Sequence, residues 1–339
     1  MQPRSWFTFW CSRPLALRVA CLGLLCPALA PAQVVWDNSN GTFRWNTAQN
    51  WSTNVLPTGT DVVQFNASPN ITSSIQLRAA AFASSLNFNS VNDNFSIING
   101  TGSQTLTLTT GDITRTAGSS NTQSLAFTTL ALGGDAAMNI AGSGSLTISA
   151  AIVDSGGARS LTKTGAGELI LSGANTYSNS TIVSAGTLTL ASSSALGTGG
   201  SLTLSGGTLK LSTASTTVTN LNVTSSSTID FGGAVATLNV TNLTVSAGVT
   251  LNIINWVNAS DFFFATNWTG AAFDTTGANP MNQVVFNSPT FVGNNTKWLG
   301  YGSHEVTPLP EPSAYGTLLL FAATGLIIRQ RRRVTPPPA

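Results

Sequence analysis

The chain has 339 residues; only 8% are Asp, Glu, Lys or Arg, and 42% are hydrophobic. Globular chains carry about 25% charged residues, so polarity here comes from Ser, Thr, Asn and Gly, which favour strands and turns, while the apolar content excludes a disordered chain. The net charge of +2 is set by the two ends: between Gln33 and Leu309 seven Lys or Arg face eleven Asp or Glu, 7 − 11 = −4, which excludes the basic patch that nucleic-acid binding needs.

In chain order, residues 1–32 read as a secretory signal peptide. Arg4, Arg13 and Arg18 form a basic region, Val19 to Leu25 an apolar run, and Ala30-Pro31-Ala32 a small-residue site with the cut between Ala32 and Gln33. No Arg-Arg pair precedes the run, which favours general secretion and its signal peptidase. A retained signal anchor is the alternative, disfavoured because the run is short of the roughly 20 residues that span a bilayer. Cys11, Cys21 and Cys26 are the only cysteines and all lie in this leader, so the remainder has neither a disulfide nor a Cys metal ligand.

Residues 33–100 form an aromatic-rich β or cap region, with Trp36, Trp45, Trp51 and Phe65. Residues 101–254 are repetitive. The clearest unit is Ser160 to Leu190, SLTKTGAGELILSGANTYSNSTIVSAGTLTL, in which short strands alternate polar and apolar side chains between glycines. Related strands are Thr105 to Thr109, Ser145 to Ser149, Ser201 to Leu204, Thr208 to Leu211, Thr237 to Val240 and Asn242 to Val245. Leu169, Leu188 and Leu209 are spaced at near-20-residue intervals, the length of one coil of a three-sided solenoid. Stacking coils gives each unit the apolar partner it lacks alone. At about 20 residues per coil this stretch would make roughly seven or eight coils, each advancing about 4.8 Å. Leu188, Leu190, Leu202, Leu204 and Leu209 should point inward, and Thr and Asn on successive coils should form side-chain ladders. A β-sandwich of short hairpins shares the same alternation and stays open as an alternative.

Residues 255–307 are a second aromatic-rich cap or linker, with Trp256, Phe262, Phe263, Phe264, Trp268, Phe286 and Trp298. Two readings of the aromatic flanks compete: closure of the solenoid's ends, and a sugar-stacking surface made by exposed Trp faces. Residues 308–339 contain, in order, Pro310-Glu311-Pro312, an apolar run from Ala314 to Ile328, and the basic cluster Arg329, Arg331, Arg332 and Arg333. As a helix of 15 residues the run spans roughly 22 Å, marginal against a hydrocarbon core of about 30 Å; the Arg cluster would stay cytoplasmic.

This ordered triple resembles the PEP-CTERM sorting signal. The resemblance implies an exosortase-like membrane enzyme as partner, a transient or stable membrane helix and a body outside the cytoplasm. An ordinary single-pass anchor is the alternative. Leu161-Thr162-Lys163-Thr164-Gly165-Ala166-Gly167, Leu169, Leu171, Asn175-Thr176-Tyr177 and Gly186-Thr187-Leu188 resemble the autotransporter-associated β-strand repeat, which implies a parallel β-helical passenger-type structure. No C-terminal membrane-barrel pattern follows.

No catalytic set emerges. His304 is the single histidine, so neither a Ser-His-Asp set nor a zinc site is expected, and no cofactor motif is present. Asp112, Asp135, Asp154, Glu168 and Asp230 are scattered, as are Arg115, Arg159, Lys163 and Lys210. Asp154 with Arg159, and Lys163 with Glu168, read as solvated turn charges. The expectation is therefore an all-β, right-handed parallel β-helix with aromatic-rich ends and one C-terminal hydrophobic helix. It would be an exported structural or adhesive protein of the cell surface or matrix, not an enzyme. A binding module for envelope or matrix polysaccharide is the alternative, and a polysaccharide-degrading β-helix a third.

Overall fold

A computed structural model describes residues 32–66, 74–90, 93–116, 120–233, 235–257, 260–270, 283–288, 291–293, 296–298 and 305–308. The described residues form a parallel β-solenoid. Its one helical element is the 3-10 turn Ala48–Asn50. Two 11-stranded sheets and one four-stranded sheet make its faces. The first sheet runs from Gln33–Val35 through Leu161–Thr164 to Phe262–Gly270, the second from Ile75–Leu77 through Glu168–Leu171 to Phe291–Gly293. The third comprises Ala81–Ala83, Thr105–Leu108, Thr129–Leu132 and Ala151–Asp154.

Except at the last strand of the second sheet, pairing within the three sheets is parallel: Leu161 faces Thr181 and Thr181 faces Leu202 in the first sheet, Leu169 faces Leu188 and Leu188 faces Leu209 in the second. A hairpin sandwich needs antiparallel neighbours, so that alternative is excluded. The few antiparallel contacts lie at the ends. Trp36 bridges Trp51, Val284–Ser288 pairs with Phe291–Gly293, and Phe264 bridges Glu305, next to the pair Thr296–Trp298 and Val306–Pro308. The ladder does not begin at residue 101: Gln33 already faces Val62, and Val62 faces Ser85.

The core is the column of inward residues. Leu188, Leu190, Leu202, Leu204 and Leu209 are all buried, as the alternation predicts. In the ladder Val63, Leu86, Ile113, Met138, Lys163, Val183 and Leu204, each residue sits over its counterpart one coil away. Fully burying one such aliphatic side chain is worth about 1.5–3 kcal/mol, but only when the neighbouring coil covers it. Two aromatic groups pack within the described residues. Trp51 packs edge-on against Trp36 and Trp45 at 4.9 and 4.7 Å between ring centres, and Trp256 does the same with Phe231 and Phe286 at 4.9 and 5.1 Å.

Beyond Asp154 the third face stops pairing as a strand, and Asn175 takes over. Its side-chain oxygen accepts from Ile152 N in the preceding coil at 2.8 Å, and its amide donates to Ala195 O in the next. Further on, the first sheet lengthens around the corner in Ser215–Ser225, Thr237–Val245 and Phe262–Gly270. The spacing of inward residues slips there from two to three, between Val218 and Leu221 and between Val240 and Leu243.

Candidate functional site

Buried polar groups concentrate at the corner between the first and second sheets. Lys163 ends the core-facing row of Leu161–Thr164 and is fully buried. Its Nζ donates to Thr164 O at 2.6 Å, Gly165 O at 2.7 Å and Ala185 O of the next coil at 3.2 Å. Reading Lys163 as a solvated turn charge is therefore corrected: its stem fills the aliphatic ladder and its head closes the turn from inside. Burial pushes its ammonium down to about 8. Glu168 does not pair with it; its carboxylate accepts from Thr189 Oγ1 on the outer face.

The same corner is served from inside in other coils. Arg115 Nη1 donates to Ala141 O at 2.6 Å, Gln123 Nε2 to Asp93 O at 3.0 Å, Ser227 Oγ to Ser225 O at 2.8 Å, and Gln283 Nε2 to Ser246 O at 2.6 Å. All four side chains are buried. A turn that leaves the sheet orphans carbonyls, and burying one without a partner costs about 1–3 kcal/mol; these coils supply donors of different lengths that reach them.

The acids have the converse task. Asp112 Oδ1 accepts from Ala137 N, Asp135 Oδ1 from Ser160 N, and Asp154 Oδ2 from Ser178 N, each one coil away at 2.9 to 3.0 Å. Asp154 Oδ1 also accepts from Arg159 N, so this pair too is a backbone cap rather than two solvated charges. Asp261, buried, holds Ala236 N and Val257 N at 2.9 and 2.7 Å. Each thus has a backbone partner. Among the described residues no group of three or more His, Cys, Asp or Glu side chains lies together.

Among the described residues the N-terminal tryptophans do not form the exposed faces that the sugar-stacking reading needs: Trp36, Trp45 and Trp51 are at most 1% exposed, and Trp51 Nε1 donates to Trp45 O at 2.7 Å. Asn50, in the triplet Asn50-Trp51-Ser52, is likewise buried and donates to Thr42 Oγ1 and Arg44 O. Different aromatics face outward. Phe262 and Phe264 are half-buried on the outer side of Phe262–Gly270 and stack at 5.8 Å with 4° between planes. On the same strand Asn267 Nδ2 donates to Asn242 Oδ1, and Asn242 Nδ2 to Asn220 Oδ1, both at 2.8 Å, an instance of the expected ladders. Its sequence signal is Thr-Asn followed by a buried apolar residue: Thr219-Asn220-Leu221, Thr241-Asn242-Leu243 and Thr266-Asn267-Trp268.

Of the sorting and processing residues, Ala32 and Gln33 are described. Ala32 O accepts from Val62 N at 2.8 Å, and Gln33 opens the first strand with its side chain exposed. Pro310, Glu311, Pro312, the run 314–328, and Arg329, Arg331, Arg332 and Arg333 lie outside the described residues. Among the described residues no helix is long and apolar enough to cross a membrane.

In a comparison with known families, residues 161–190 fit the model of the passenger-associated-transport-repeat family. The match spans Lys163, Asn175 and Tyr177, whose hydroxyl lies 2.6 Å from Thr181 Oγ1 in the core. The resemblance read in this unit is thus supported, and the repeat and the solenoid together fit an exported, passenger-like surface protein. No curated protein and no solved structure matches the chain.

Proposed function

We propose that this chain is an exported bacterial surface or matrix protein with a structural or adhesive role, not an enzyme. The general secretion machinery and signal peptidase remove residues 1–32. An exosortase-like enzyme then acts at Pro310-Glu311-Pro312 while the run 314–328 sits in the membrane, with Arg329 and Arg331 to Arg333 on the cytoplasmic side. One observation carries this reading. The unit matching the passenger repeat, residues 161–190, is one in-register coil of a continuous parallel ladder, and its polar residues are spent on holding coils together. The solenoid's hand is right-handed, as parallel crossovers are in about 98% of cases. The buried Trp36–Trp45–Trp51 and Phe231–Trp256–Phe286 groups close its two ends. Mass spectrometry of both termini, on protein from envelope and medium, tests the sorting step. A start at Gln33 and an end near Pro312 is expected. A chain that keeps Arg329 to Ala339 overturns exosortase processing and leaves an ordinary anchor.

A second reading rests on Phe262 and Phe264. An outward aromatic pair beside a file of three amides suits a neutral polysaccharide, whose rings offer apolar faces and hydroxyls. Phe262→Ala with Phe264→Ala should abolish retention on matrix polysaccharide while leaving the circular dichroism spectrum unchanged. Unchanged retention removes this surface as the site.

A further inference from the structure

The first residue of the ladder carries a chemical consequence. Val62 N donates to Ala32 O at 2.8 Å, and Gln33 lies opposite Val62 at the outer edge of the first sheet. A cut between Ala32 and Gln33 removes that carbonyl with the leader. It leaves the α-ammonium of Gln33 beside the N–H of Val62, a cationic donor facing a donor. The Gln33 side chain is exposed, so nothing in the core holds its carboxamide away from the new terminus.

We infer that Gln33 of the processed protein cyclises to pyroglutamate; the inference rests on the leader reading given above. The free-base α-nitrogen attacks Cδ of the side-chain carboxamide. The N–Cδ bond forms, the Cδ–Nε2 bond breaks, a proton passes from the attacking to the departing nitrogen, and one ammonia leaves. No oxidant, metal or cofactor is consumed. The product is a neutral lactam. It removes the positive charge from the edge of the sheet, leaves a single N–H on that nitrogen and returns a carbonyl acceptor to it. It also denies aminopeptidases the free amine they require, at an end strand of the first sheet.

The test is terminal peptide analysis of the full chain after export by its own host. The expected N-terminal peptide begins at residue 33, is lighter than the encoded sequence by one ammonia, and is not modified by an amine-labelling reagent. Treatment with pyroglutamyl aminopeptidase should remove that residue and restore labelling at Val34. Gln33→Glu, whose carboxylate is a far poorer acyl donor, should be processed at the same bond and label fully. A wild-type peptide that starts at Gln33 and labels quantitatively overturns the cyclisation and leaves the leader reading standing. A start at any other residue overturns both.

Discussion

Lys163 occupies a place that its ladder otherwise gives to Met138 and Val183. Its presence there is explained by the turn below it: three carbonyls converge, and an ammonium has three donors. Lys163→Met keeps the stem and removes the donors, so about 1–3 kcal/mol of stability should be lost near neutral pH, read from the urea midpoint. Protonation adds a sharper signature. The folded pKa is lowered to about 8 from 10.5. Between those values the unfolded chain holds a proton that the folded chain has released. Stability therefore rises with pH across that window, by at most about 1.4 kcal/mol per unit, and is flat below it. Urea unfolding at several pH values should show this rise in the wild type and none in Lys163→Met; an equal slope in both sinks the assignment. The lysine was visible in the sequence but its burial was not. A lone cation next to glycines reads as a solvated turn until the chain is seen to place Ala185 O against it.

Strands and corners were more legible. Period-2 alternation marked the inward leucines, because one face of each strand must be buried. Gly165 and Gly186 show what alternation leaves out. Both have positive φ, +72° and +64°, and a Cβ on Gly186 would strike Gly165 O and Gly167 O in the coil before it. One glycine is needed for the turn and again for the stacking of turns. Gly186→Ala should cost about 2–4 kcal/mol, from left-handed strain plus a backbone clash, measured by thermal or urea unfolding. The amide ladder is a gentler case. Asn242 touches both Asn220 and Asn267, so Asn242→Ala should lose about 1 kcal/mol by the same measurement. The Thr-Asn corner that positions it can be read from the sequence, but only once the coil length is known well enough to align residues 220, 242 and 267.

At the scale of the whole solenoid, stability is close to a sum over coils and their contacts. Damage at one end should therefore stay there. Trp51→Ala empties the packing against Trp36 and Trp45, at a cost of about 3–5 kcal/mol. Hydrogen exchange should speed up in residues 33–66 while strands from 161 to 211 keep their protection. Uniform loss of protection would show that the end group holds more than its own coils. By itself, the sequence determined the class of this protein. Low charge and alternating Thr and Leu mark an all-β chain, and a near-20-residue recurrence favours a stack of coils, while the parallel pairing of the strands excludes a hairpin sandwich. The matched repeat was readable for the same reason, since apolar positions such as Leu169 recur in the following coils at Leu188 and Leu209. Tertiary structure alone decided what the exceptions do. A buried lysine, carboxylates that cap the next coil's backbone, tryptophans turned inward and phenylalanines turned outward all depend on which turn lies above which. That distance runs across coils, and neither spacing nor composition encodes it.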